Sequence, residues 1–254
     1  MEHTTKLSYR QIATRLGDDI VNGAYPPGSL LPPEPELAER FGVSRSLINR
    51  ALTVLASEGK VRAKQGSGTR VTWLPPILHS SARYRQDLRE AEGARGAFDA
   101  EVRALGLDPI HEITTQRAAA PDHIAELLGL EPGQINCLAR RRRLLASHIP
   151  MRLNCTWIPL DIAGGTVLED SDAVLVGGVK STLAELGFRQ TEALERWFVR
   201  RPTEPEAISL EISPDRSVLD LIHVGQTADG RAVEVTTTVT PADTQIIEYR
   251  FPLS

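Results

Sequence analysis

The 254-residue chain predicts an α+β protein built in two parts. Three observations carry that expectation. Residues 9–55 hold three short stretches with apolar residues at helical spacing, residues 60–71 alternate basic and apolar side chains around a glycine-rich tip, and residues 122–159 and 203–241 repeat one order of helix, strand, turn and strand. A helical head with a hairpin, followed by an antiparallel sheet with packed helices, satisfies all three patterns.

The head reads element by element. Ser8 and Gln11 have capping-box spacing, and Tyr9, Ile12, Ala13, Leu16 and Ile20 line one face of a first helix. Leu37, Ala38 and Phe41 give a second, short helix an apolar face, and Gly42 suits the left-handed position that ends it. Ser44 stands where an N-cap is needed for a third helix, and its hydroxyl is expected to take a free N–H of the first turn. Ile48, Ala51, Leu52 and Leu55 form the buried stripe of that helix, which turns Arg45, Ser46, Asn49 and Arg50 outward. Arginine can pair with guanine and asparagine with adenine through two parallel bonds, each pair worth about 1–3 kcal/mol of base discrimination.

In the hairpin, Val61, Ala63 and Val71 alternate with Lys60, Arg62, Lys64 and Arg70 around Gln65-Gly66-Ser67-Gly68. Glycines let the backbone approach a groove closely, and the cations can neutralise phosphates. Helix, turn, helix and basic wing in this order are the parts of a winged helix-turn-helix, whose last helix enters a DNA major groove. Charge agrees: residues 1–74 carry a net +3 and the remainder −7, so phosphate should attract the head alone.

Beyond Val71 the pattern changes. Pro75-Pro76 and weak periodicity make 74–88 a linker, ending in a possible edge strand. The repeated units follow: a helix with Ile124, Leu127 and Leu128, strands 135–145 and 151–158 around Ser147-His148, and Pro159; then a helix with Ala207, Ile208 and Leu210, strands 218–227 and 232–240 around Asp229-Gly230, and Pro241. A last strand, 245–252, would complete the sheet. Cys137 and Cys155 fall on the two arms of the first hairpin, near enough to keep a redox pair open beside two ordinary thiols. The six histidines show no metal-ligand spacing, and no nucleophile or phosphate-loop motif accompanies them, so neither a cofactor nor catalysis is expected. No secretion signal or membrane-length apolar run is legible, which predicts a cytoplasmic protein.

Residues 9–71 resemble the DNA-binding domain of the GntR family of bacterial transcription regulators, through Tyr9, Gln11 to Ala13, Pro26 to Gly28, Leu31, Pro32, Glu34, Glu36 to Ala38, Phe41 to Arg45, Ala51, Leu52, Leu55, Glu58, Gly59 and Gly66 to Thr69. The resemblance implies DNA contacts from Glu34, Ser44, Arg45, Ser46, Asn49, Arg50, Lys64, Gln65, Gly66, Ser67, Gly68 and Thr69. Pro35 and Asn49 stand where many members have arginine, which implies an altered operator. The second half is similar to the UTRA effector domain of the HutC subfamily, through the hairpin Arg142 to Pro159, the run Asp229 to Glu234, Asp243 and Tyr249 to Phe251. That implies a chorismate lyase-like fold, an effector pocket and a homodimer. Arg142, Asn154, Arg231, Glu234 and Thr240 are its expected effector-binding residues. Leu144, Asn154 and Thr240 replace a family arginine, acid and tyrosine, which weighs against a phosphosugar.

The expected domains are a winged helix-turn-helix over 1–73, a linker over 74–88 and an effector-binding, dimerising domain over 89–254. The expected function is a repressor-type regulator whose affinity for a double-stranded operator responds to a small molecule. A DNA-binding dimer without effector and a lyase-type enzyme are the alternatives, and Leu144 removes a cation that a lyase would need for a dicarboxylate.

Overall fold

The computed structural model describes residues 7–64 and 66–251. The chain forms two compact units. The first runs to Pro76 and includes Glu211–Arg216; the second comprises Ile77–Leu210 and the chain from Ser217 onward.

In the first unit, helices α1 (Tyr9–Val21), α2 (Glu34–Phe41) and α3 (Arg45–Ser57) precede a hairpin of β1 (Val61–Lys64) and β2 (Gly68–Val71). Both halves of the Ser8–Gln11 capping box form at the start of α1. Gly42 ends α2 at φ 64°, a left-handed conformation that glycine adopts without a Cβ clash. The three helices share one core of Ile12, Leu16, Ile20, Leu37, Ile48 and Leu55, all essentially inaccessible, with Val61 and Val71 joining from the hairpin. Ser44 is the N-cap of α3, but its side chain makes no capping bond; the expected hydroxyl contact is absent and backbone geometry alone starts the helix.

In the second unit, β4 (Pro109–Ala118), β5 (Cys137–Ala146), β6 (Ile149–Pro159), β7 (Glu192–Arg200), β8 (Val218–Gln226) and β9 (Ala232–Pro241) form an antiparallel sheet in the order β4-β5-β6-β9-β8-β7. The order is palindromic because the repeat is real and slightly longer than its sequence pattern. Strand, helix and hairpin occur as β4, α6 (Asp122–Leu128), β5, β6 and again as β7, α9 (Glu204–Leu210), β8, β9, and the two copies meet at the β6/β9 seam. Even the bulges correspond, at Leu144/Leu145 in one hairpin and Gly225/Gln226 in the other. Helices α6 and α9 cover one face of the sheet; Ile124, Ala125 and Leu128 of α6 pack on Ala139, Trp157, Val224 and Val235. Of the α9 residues assigned to the core, Ala207 and Leu210 are buried, whereas Ile208 faces solvent.

The opposite face is covered by α4 (Gln86–Glu90), α5 (Ala97–Ala104), α7 (Leu160–Ala163) and α8 (Gly178–Glu185). Part of that face is apolar, with Leu138, Ile158 and Val233 against Ile162, Val179 and Leu183. Residues 77–88, assigned to the linker from sequence, carry β3 (Ile77–His79), a 3-10 turn (Ser81–Tyr84) and the start of α4. The last strand is shorter than expected and elsewhere: β10 (Gln245–Ile247) pairs in parallel with β3, apart from the large sheet, and Pro252 lies outside the described residues. Cys137 and Cys155 are not cross-strand neighbours. Cys137 opposes Pro159 and Cys155 opposes Arg141, and burial raises both thiols, which removes the basis for a redox pair.

Candidate functional site

Two surfaces carry the chemistry, one in each unit. On the first, Ser44, Arg45, Ser46, Asn49 and Arg50 are exposed along α3, because Ile48, Ala51, Leu52 and Leu55 anchor the other side of the helix. Asn49 Nδ2 reaches Glu34 Oε1 on α2 at 3.4 Å, so two expected contact residues meet before any DNA is bound. The Arg50 guanidinium lies 4.1 Å from the Tyr9 ring centroid, a cation–π contact that fixes its plane and leaves its edge open. Pro35 occupies the first turn of α2, where its missing N–H costs no hydrogen bond.

The wing divides its cations. Lys64 is exposed at the end of β1, next to a tip whose Gly66 and Gly68 have φ of 74° and 81°, with Ser67 exposed between them and Thr69 half-buried. Gln65 lies outside the described residues. Lys60 and Arg70, read from sequence as phosphate partners, have other roles: Lys60 pairs with Glu58 at 2.8 Å, and Arg70 donates to the Gly28 carbonyl.

The second surface is a cavity of about 120 Å³ between the sheet and helices α4, α5 and α8. Antiparallel register sets two rows of side chains on its side of the sheet: Arg142, Asn154, Thr238 and Leu221 in one, Arg140, Thr156, Thr236 and His223 in the next. Gly96, Gly177 and Gly178 bring backbone to its edge. Gly178 sits at φ 73°, and a Cβ there would meet the Arg95 carbonyl oxygen at 2.9 Å, so the approach of α8 to α5 requires glycine.

Most cations around the cavity are already matched. Arg83 and Arg152 share Glu101, at 2.9 and 3.0 Å. Lys180 donates to Glu234 and, at 2.8 Å, to His223 Nε2. Burial alone would raise the Glu234 carboxyl, but Lys180 and His223 outweigh it and hold the group down at about 2. Arg89 donates to the Tyr84 and Gly177 carbonyls and to Ser181, fixing the turn before α8.

Arg142 differs. Its Nη2 donates to Thr156 at 2.6 Å, yet its Nε is buried without a partner. Directly across the strand pair, Asn154 donates from Nδ2 to Thr238 at 2.9 Å, and its Oδ1 is likewise buried and unpartnered. A free donor and a free acceptor thus belong to two residues that line one cavity, and each unmade bond costs about 1–3 kcal/mol unless a ligand or water supplies it.

Comparison with known proteins finds two family matches along the chain. Residues 8–71 match the family described as bacterial regulatory proteins, gntR family, and residues 104–245, more than half of the chain, match the UTRA domain. The chain belongs to the GntR family, in its UTRA-bearing branch. This pairing is that of HutC-like members, and the chain is a DNA-binding transcriptional regulator.

Among relatives of this GntR–UTRA protein, the mannosyl-D-glycerate transport/metabolism system repressor MngR of Escherichia coli is 28% identical over 96% of this chain and 94% of its own. An uncharacterized HTH-type transcriptional regulator of Streptomyces coelicolor is 28% identical over 89% and 86%. A crystal structure described as that of a GntR-family transcriptional regulator superposes with a TM-score of 0.59 at 27% identity, covering 98% of this chain and 99% of that one. PhnF from Mycobacterium smegmatis, at 21% identity and a TM-score of 0.60 over 96% and 100%, shares the fold.

Of the five residues assigned to the UTRA pocket from sequence, Arg142, Asn154 and Glu234 line the cavity. The other two are not among its lining residues. Arg231 precedes β9 at an exposed hairpin end, outside the cavity, and pairs with Asp161. Thr240 lies further along β9, buried, with its hydroxyl donating to the Met151 carbonyl at 2.9 Å. Sequence reasoning missed Lys180, His223, Arg152, Arg83 and Tyr84, which line the same space. A signal existed for two of them: Arg152 and His223 fall on the inward parity of strands already assigned.

Proposed function

We propose that this regulator is a homodimeric repressor whose operator affinity is set by a small anionic effector in the UTRA cavity. The unfilled Arg142 donor inside that cavity is the observation that carries the reading, because a structural arginine would have its bonds met. Supporting it, most neighbouring cations already have acidic partners, so an incoming anion finds Arg142 available. Repression is supported by relatives named as repressors, MngR and NagR of Bacillus subtilis. Two-fold association is supported by β7, an edge strand that exposes Phe198 and Val199 and offers a second copy both backbone groups and apolar surface.

Each α3 then reads one half-site, with Arg45, Ser46, Asn49 and Arg50 at base edges, Glu34 and Ser44 beside them, and Lys64 and the wing tip on the flanking backbone. Effector and operator oppose each other by linkage, so each weakens the other by the same factor. The test is a thermal-shift screen of metabolites, followed by operator titration with and without each stabilising compound. A ligand at a hundred times its Kd adds about 2.7 kcal/mol of stability. A compound that stabilises the protein and lowers operator affinity is expected; a stabilising compound that leaves operator affinity unchanged contradicts the coupling.

A further inference from the structure

The orphaned atoms of the cavity also describe the molecule that completes them, an inference that rests on the effector reading above. We propose that the effector is a small polyhydroxy carboxylic acid: one oxyanion on Arg142, and hydroxyl groups read by Asn154 and the threonines of β9.

The anionic part follows from the unpartnered Arg142 donor. Two residues beyond Arg142 on the same strand face stands Leu144, buried and apolar, which also lines the cavity. Arg152, opposite Leu144, and Arg83 are both committed to Glu101, and Lys180 to Glu234. A carboxylate needs one guanidinium edge, which Arg142 Nε supplies. Arg89, bonded to two carbonyls and Ser181, and the exposed Arg95 also line the cavity.

The hydroxylated part follows from the floor. Asn154, Thr236 and Thr238 line the cavity, and Thr156 stands behind them, bonded to Arg142 at 2.6 Å and to Thr236 at 2.8 Å. These groups are neutral and each can donate or accept, the complement of a polyol rather than of an apolar tail. A ligand hydroxyl next to the carboxylate can donate to Asn154 Oδ1 across the strand pair from Arg142. Since a hydroxyl also accepts, it satisfies either orientation of that amide. The space suits this size, since about 120 Å³ holds about ten water-sized positions.

The experiment measures binding to the full chain by calorimetry and thermal shift with three probes: D-gluconate, hexanoate, which keeps the carboxylate and chain length without hydroxyls, and D-glucose 6-phosphate. Gluconate is expected to bind at least about tenfold more tightly than hexanoate, because hexanoate leaves the buried amide unpaired. Asn154→Leu should narrow that gap by about tenfold, and Arg142→Gln should weaken both acids. Thr236→Val serves as a second hydroxyl-reading variant should Asn154→Leu fold poorly. Equal affinity for hexanoate and gluconate overturns the proposal, as does binding of glucose 6-phosphate alone. If no probe binds while another class of metabolite does, the hydroxy-acid assignment falls and the effector reading stands; if no metabolite of any class binds, both fall.

Discussion

His223 shows how a single side chain on the cavity wall ties ionisation to stability. Its Nε2 accepts from Lys180 at 2.8 Å, so Nδ1 carries the proton toward Glu195 at 3.1 Å, and the neutral tautomer is fixed by its neighbours. Burial is the largest influence and lowers its pKa below 6.5; Lys180 lowers it further, and Glu195 and Glu234 oppose without prevailing. Below 6.5 the unfolded chain therefore binds a proton that the folded chain refuses, and stability falls as pH falls through that value. His79, buried against the same Glu195, adds a shift of the same sign. The melting temperature should decline from about pH 7.5 to about pH 5.5, and His223→Gln should flatten the slope. A melting temperature that rises on acidification contradicts the buried neutral imidazole. At this scale the sequence was only partly readable: Arg142, Asn154 and Glu234 came from the resemblance to UTRA domains, whereas Lys180 comes from a helix whose approach to the sheet no local pattern encodes.

On the proposed reading helix α3 and the wing have different tasks, and their variants should fail differently. Arg45 opens α3 on the exposed side, so Arg45→Ala should reduce specific affinity by about 1–3 kcal/mol and relax preference at one base pair. Lys64, exposed at the end of β1, should contact phosphate, and Lys64→Ala should weaken all sequences alike and reduce the salt slope by about one. Titrations over several salt concentrations distinguish the two, and equal losses on random DNA contradict the division. Elements were the most legible level. Helical spacing found α1 to α3, and the repeated order of helix, strand, turn and strand found β5, β6, β8 and β9 to within a few residues, although helices cover that sheet on both faces. Expectation erred where pairing was non-local: β10 looked like a continuation of the sheet, but its partner is β3, far away in sequence. The repeat also explains why the cavity floor is so uniform. Copies of one hairpin place Asn154 and Thr156 against Thr236 and Thr238 across the seam, while equivalent wall positions have diverged to Arg142 and His223.

At the scale of the whole molecule, a basic DNA-binding region and an acidic UTRA region share one chain, and the net charges of +3 and −7 keep phosphate attraction in the first. Two copies joined through β7 would present two α3 helices, which demands an operator of two inverted half-sites about one helical turn apart. The most direct test is selection of duplexes from a randomised pool by the full-length protein, followed by anisotropy titration of the enriched sequence against bulk competitor. Enrichment of an inverted repeat bound at least about 10³-fold more tightly than competitor is the predicted result. Failure to enrich any sequence, or equal affinity for every duplex, would contradict the assignment of α3 as the element that reads DNA.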